Sequence, residues 1–177
     1  MARKKFSPKA TLILMLVLVA GVMLWQGLFM RDEVIRIDGE AVVVIDGDSF
    51  KSESDEFRLQ GIDAPEFRQT CTNRDGESWP CGRSAHQRLK EVLAGSAWSC
   101  TIQARDQFGR AIATCEDSAS RDLGAVLVLS GHAVSGGQFD VMAYGSEEFE
   151  ARKARRGIWQ GPFQRPDVWR GENPRGS

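Results

Sequence analysis

The sequence predicts an α+β domain, a small barrel of short strands with a few helices, behind one apolar helix long enough to cross a bilayer. Three observations lead there. Short β-branched or alternating runs at residues 41–45, 57–59, 98–104 and 110–115 are separated by turn residues. Ala85, Leu89, Val92 and Leu93 form a helical stripe rather than a strand pattern. Residues 11–30, TLILMLVLVAGVMLWQGLFM, carry no charge. At 177 residues and 42% hydrophobic, the chain has room for one cored domain plus extras.

Residues 1–10 are a basic tail containing Arg3, Lys4, Lys5 and Lys9, and Arg31-Asp32-Glu33 closes the apolar run. The positive-inside tendency places that tail in the cytoplasm and the rest outside, in the periplasm or extracellular space. The run continues past Leu18-Val19-Ala20, so an uncleaved transmembrane anchor is favoured over a signal segment; if it is cut, the domain is secreted. Cys71, Cys81, Cys100 and Cys115 agree with an oxidising compartment, and the absence of C-x-x-C spacing argues against zinc. The four basic residues leave about −5 of formal charge on the remainder from a whole-chain −1, an unusual footprint for a nucleic-acid binder.

Residues 31–40 read as a polar linker, and 41–45 as a strand. Asp46-Gly47 could turn a hairpin; alternatively the strand runs on through Ser49-Phe50 with a bulge at Gly47 and turns in residues 51–55, the favoured reading. Arg58 and Asp63 are five apart and converge only if the chain bends, with Gly61 the obvious place. Residues 69–82 read as loop. Ser84 opens a helix with a capping-box pattern, and Gly95 stops it. Two strands follow around the turn Asp106-Gln107-Phe108-Gly109. A symmetric two-residue loop at Gln107-Phe108 sets Cys100 opposite Cys115, which leaves Cys71–Cys81 as the second bridge. A second helix holds Leu123, Val126 and Leu127. A Gly-rich loop covers residues 135–143, and a polar helix with a Glu148–Arg152 pair covers 146–156. Ile158-Trp159 plugs back into the core, and the tail 161–177 is expected to be irregular.

Asp46, Asp48, Asp63 and Glu66 crowd where apolar runs end, with Arg58 among them. Such a crowd repels itself unless a cation or basic partner compensates. Oxygen donors suit a hard metal, a carboxylate can take a proton from water, and arginines can hold phosphate. His86 and His132 are read as bystanders, and Trp98, Trp159 and Trp169 as packing residues.

Asp46-Gly47-Asp48, Arg58-Leu59 with Ile62-Asp63-Ala64-Pro65-Glu66, Asp106-Gln107-Phe108-Gly109-Arg110 and Gly157-Ile158-Trp159, in that order, resemble the staphylococcal nuclease (thermonuclease) family over residues 41–160. The resemblance implies a five-stranded OB-fold barrel with three helices. It implies a monomeric enzyme that cleaves single-stranded or frayed DNA and RNA with one Ca²⁺ and leaves 3′-phosphates. By the same resemblance Asp48, Asp63 and the Ala64 backbone carbonyl bind Ca²⁺, Asp46 supports them from behind, Glu66 is the general base, and Arg58 and Arg110 hold the phosphate. The chain departs from the pattern at Ala64 and Phe108, where Thr and Tyr are common, and in lacking tyrosines after the second helix. A non-catalytic OB module that binds nucleic acid or a partner protein is the alternative.

Overall fold

The computed structural model describes residues 8–29, 33–53, 55–136 and 143–174. The chain divides into two compact units, residues 1–32 and 33–177. The first contains helix α1 (Pro8–Phe29). Its described side chains, residues 11–23, are exposed and, apart from Thr11, apolar. Among the described residues no helix is long and apolar enough to cross a membrane. The expected span 11–30 runs on into side chains outside the described set.

The second unit is built on a six-stranded mixed sheet. Its strands are β1 (Glu33–Asp38), β2 (Val43–Val44), β3 (Ser49–Ser52) and β4 (Asp55–Leu59), then, after intervening short strands, β8 (Ala97–Arg105) and β9 (Ala111–Asp117). The order is β1-β8-β9-β4-β3-β2. Every neighbouring pair is antiparallel except β4 with β9, which is parallel. Two small ribbons complete the β-structure: β5 (Ile62–Asp63) pairs with β10 (Val134–Ser135), and β6 (Cys71–Thr72) pairs with β7 (Ser78–Trp79). Helices α2 (Cys81–Leu93), α3 (Leu123–Leu129), α4 (Gly145–Lys153) and α5 (Pro166–Glu172) surround them. The outcome is α+β with a curled half-barrel sheet, consistent with an OB-fold.

Burial follows the sequence pattern. Phe57 and Leu59 on β4 point into the core while Arg58 between them faces the other way, as a period of two requires. Phe50, Phe57, Trp98, Leu89, Leu93, Leu123 and Leu127 are fully or almost fully buried in one cluster. Phe50 and Phe57 are cross-strand partners with stacked rings 5.2 Å apart. A second cluster holds Cys71, Cys81, Val134 and Ile158 with Trp159 and Phe163 against it, so Ile158 does plug back into the fold.

Several boundaries differ from the sequence expectation. Residues 33–38 are not linker but strand β1, paired along its whole length with β8, because the exposed edge of β8 offers partners to a Val-Ile-x-Ile run. The strand expected at 41–45 shrinks to Val43–Val44, preceded by a 3-10 turn at Gly39–Ala41. The chain then reverses at Asp46-Gly47-Asp48: Val44 pairs with Phe50, and Ile45 N–H donates to Ser49 O at 2.9 Å. The favoured continuation through Ser49-Phe50, with only a bulge at Gly47, is thus corrected. The turn expected within residues 51–55 is present as well, since Ser52 pairs with Asp55. Helix α2 starts at Cys81, not Ser84, and Pro80 rather than a serine side chain precedes it. The tail is not irregular throughout, because Pro166–Glu172 is helical.

The β8–β9 hairpin keeps the expected register from Trp98↔Asp117 to Ile102↔Ala113, then shifts by one at a bulge before Ala104. Cys100 and Cys115 are partners and are disulfide-bonded, as are Cys71 and Cys81. Most of the Gly-rich loop expected at 135–143 lies outside the described residues.

Candidate functional site: an acid–arginine cluster at the rim of the sheet

Asp48 reaches the site from the β2–β3 turn. Asp46 Oδ1 accepts its backbone N–H at 3.1 Å, an Asx turn that fixes the corner. Gly47 belongs there because the corner is pressed against neighbours; a Cβ would lie 2.6 Å from Ala64 Cβ and 2.7 Å from Ala85 Cβ. Asp48 Oδ1 accepts from Ser49 Oγ at 2.8 Å and from Arg58 Nη1 at 3.2 Å, and Oδ2 accepts from Ala64 N–H at 3.0 Å. The turn and the β5 segment sixteen residues later are therefore joined through one carboxylate.

Asp63 comes from β5 after the bend at Gly61, whose φ of +72° is the left-handed conformation that favours glycine. The bend lets Arg58 bridge both aspartates, with its Nη2 3.2 Å from Asp63 Oδ1. Glu66 follows Pro65 in a loop tied to α2. Its backbone N–H donates to Gln69 Oε1 at 3.2 Å, and Gly82 of α2 packs so close that a Cβ would sit 1.8 Å from Glu66 O.

Asp46, Asp48 and Asp63 are only 8%, 2% and 5% exposed, so their charges are poorly hydrated. Burial, and then the neighbouring Asp48 charge, push Asp46 up to about 7. Burial also raises Asp63, helped by Asp48 and opposed by Arg170 and Arg58. The Asp48 charge in turn raises Arg58 further above its ordinary value. Among the described residues no group of three or more His, Cys, Asp or Glu side chains is arranged to hold a metal ion.

One member of the cluster stands outside the site residues expected from the sequence. Arg170 of α5 forks onto Asp63, with Nη1 2.8 Å from Oδ1 and Nη2 2.9 Å from Oδ2, and its Nη1 lies 3.1 Å from Glu66 Oε1. Burial alone would lower the Arg170 pKa; the hydrogen bonds and charges of Asp63 and Glu66 outweigh it and raise it. The signal that could have found α5 is local: Pro166 at the first helical turn, Asp167 beside it and Arg170 in the last turn. Beside the cluster lies a cavity of about 480 Å³ whose lining includes Glu66, Phe67, Arg68, Trp169 and Arg170. Trp169 therefore borders the site rather than packing only on the tail.

Arg110 is not drawn into the cluster. Its Nε lies 2.7 Å from Asp106 Oδ2, and its guanidinium sits 5.7 Å from the Phe108 ring centre. Asp117 and Arg121 repeat the same turn, also with a four-residue spacing and Nε to Oδ2 contact. The resting geometry of Arg110 is thus that of an ordinary Asp–Arg turn. It nevertheless immediately precedes Ala111, the partner of Phe57, so it enters from the strand beside Arg58.

The remaining candidates have structural partners. His86 Nε2 lies 3.2 Å from Val44 O, and His132 Nδ1 3.0 Å from Ser130 Oγ. Tyr144 hydrogen-bonds Asp122 and rests against Gly124, so it braces the start of α3. Trp98 is buried with its indole N–H on Leu93 O, and Trp159 stacks under Arg152.

A curled β-sheet that gathers buried carboxylates and guanidinium groups at one rim defines a small barrel domain suited to handling phosphate or a hard cation. Comparison with known proteins gives the family. The family model for the staphylococcal nuclease homologue matches residues 56–161, more than half of the chain. Among curated proteins, the succinoglycan biosynthesis protein ExoI of Rhizobium meliloti (strain 1021) is similar, 31% identical over 118 residues. The match covers 66% of this chain and 62% of that protein, so the chain spans less than two thirds of its relative's length. The chain belongs to the staphylococcal nuclease homologue family.

Proposed function

We propose that the domain is a Ca²⁺-dependent nuclease that hydrolyses DNA and RNA phosphodiesters with low sequence specificity and leaves 3′-phosphates. It works as a monomer on single-stranded or frayed nucleic acid, on the exported side of a membrane that residues 11–30 anchor. The observation that carries this reading is the convergence of Asp48, Asp63, Glu66 and Arg58 from three separate segments onto one rim. The apolar, uncharged run 11–30 and the two disulfides support the exported side.

The donor set fits a hard cation. It is all oxygen and largely buried, and burial, with the Asp48 charge as the smaller cause, pushes Asp46 and Asp63 up, so charged carboxylates there gain from a cation. Asp48, Asp63 and the Ala64 carbonyl are the groups that would hold Ca²⁺, with Asp46 fixing the corner behind Asp48. The ion would supply positive charge to a phosphate whose negative charge grows during attack. Arg58 supplies planar donors to the non-bridging phosphate oxygens, and Arg110 joins it once it leaves Asp106. Glu66 accepts the proton of the attacking water as the new P–O bond forms. The bond to the 5′ oxygen breaks opposite, and that oxygen takes a proton from solvent.

One observation favours a second reading, a non-catalytic OB module. Both oxygens of Asp48 and both of Asp63 already accept hydrogen bonds, so the cluster could simply be a satisfied ion-pair network. An assay of residues 31–177 on single-stranded DNA separates the two. The nuclease reading predicts cleavage with Ca²⁺ and none with EDTA. A folded domain that is inert with Ca²⁺ points to the binding module, and equal cleavage in EDTA rejects the metal assignment.

A further inference from the structure

Arg170 holds the oxygens that a divalent cation at Asp63 would need. Arg170 gives each Asp63 oxygen one N–H donor and touches Glu66 as well, while Arg58 adds a further donor to Asp63 Oδ1. A Ca²⁺ ligand must turn a lone pair to the ion at about 2.3–2.6 Å. Asp63 has no oxygen outside the two guanidinium groups, and a metal drawn to it would meet positive charge at hydrogen-bond distance. Arg170 is thus a monovalent substitute for the cation, planar and permanently charged, in the position of a ligand-bound ion.

The attachment of α5 suits displacement. The tail is stitched to the body before the helix begins: Thr72 N–H donates to Pro162 O at 3.0 Å, Gln69 Nε2 donates to Gln164 O at 2.7 Å, and Pro166 is buried. Past that point, among the described hydrogen bonds, those of Arg170 tie α5 to the body. Val168 is exposed, and Arg170 itself is about one-third exposed. The helix is one of seven residues, short enough to swing as a unit about Pro166. It also forms a wall of the cavity beside Glu66, so moving it widens the approach to the site. Arg170 lies beyond the matched residues 56–161.

We infer that Arg170 is an internal cation that keeps the acidic site closed at rest, and that Ca²⁺ binds by displacing Arg170 and α5 from Asp63 and Glu66. The inference rests on the proposed reading of Asp63 as a Ca²⁺ ligand. It makes the site selective for a doubly charged ion, since a monovalent one gains no charge over the guanidinium it replaces.

The test is a calorimetric titration of the full-length protein with CaCl₂, comparing wild type with Arg170→Met and Arg170→Lys. Arg170→Met, which keeps the stem and loses the charge, binds Ca²⁺ at least tenfold more tightly than wild type. Arg170→Lys, which keeps charge without the fork, falls between. Hydrogen exchange on wild type gives a second readout that needs no variant: Ca²⁺ speeds exchange of the α5 amides and leaves the β8–β9 hairpin unchanged. Equal or weaker Ca²⁺ binding by folded Arg170→Met overturns the inference and leaves the nuclease reading standing. If that variant does not fold, unchanged α5 exchange in Ca²⁺-bound wild type overturns it. No Ca²⁺ binding by wild type or variant, with cleavage persisting in EDTA, overturns the metal reading and the inference together.

Discussion

At the scale of single residues, Asp46 and Gly82 carry the sharpest consequences. A carboxyl whose pKa is raised by folding, here from 3.8 to about 7, favours the folded state while it is protonated. Its contribution is fully present below the unfolded value and is lost as pH rises through about 7. At about 1.4 kcal/mol per pKa unit, a few kcal/mol are involved. Urea unfolding of the metal-free domain should therefore show stability falling between about pH 4 and 7, and Asp46→Asn should flatten that fall; an unchanged slope rejects the assignment. Gly82 is a packing case. A Cβ there would overlap Glu66 O at 1.8 Å, and backbone cannot step aside cheaply. Gly82→Ala should cost about 1–3 kcal/mol, read as a lowered melting temperature, and displace Glu66 with loss of cleavage. A variant with wild-type stability and rate would show that the loop moves freely.

At the scale of elements, the two disulfides brace different things. Cys100–Cys115 joins directly opposed residues of a hairpin that is already paired, whereas Cys71–Cys81 closes the segment between Glu66 and α2. Removing the second with Cys71→Ala/Cys81→Ala should cost about 2–4 kcal/mol and loosen Glu66. Thermal denaturation checks the first expectation and the cleavage rate the second. Both pairings were legible in the sequence because the hairpin register is set by its own short turn. The bend at Gly61 was legible for a similar reason, since Arg58 and Asp63 could meet in no other way. What was not legible depended on partners distant in the chain. The bonding of residues 33–38 to β8 turned an apparent linker into strand. The close seat of Gly82 on Glu66 accompanies a start of α2 ahead of the capping pattern at Ser84. The contacts of Arg170 were not legible, because one of several arginines in a proline-rich tail acquires partners only once Gln69 and Thr72 have fixed where that tail lies.

At the scale of the whole molecule, the acidic balance of residues 31–177 is compatible with the proposed phosphate substrate through where charge is placed rather than through its sum. Three buried carboxylates are concentrated at the rim, and Arg58, Arg68 and Arg170 stand around or beside them. Cleavage should weaken steeply as salt rises, because these few arginines carry the attraction; a rate independent of ionic strength would place substrate contacts elsewhere. The α+β class, the curled sheet and the acids were readable from local pattern, while the arrangement that satisfies those acids was not. The most direct measurement is the cleavage of single-stranded DNA in Ca²⁺ by wild type and by Glu66→Gln, each confirmed folded and disulfide-bonded. The substitution keeps size and one acceptor oxygen for Arg170, and removes the carboxylate's charge and its capacity to take a proton. A fall of several orders of magnitude is predicted; equal rates would contradict the assignment of this rim as the hydrolytic centre.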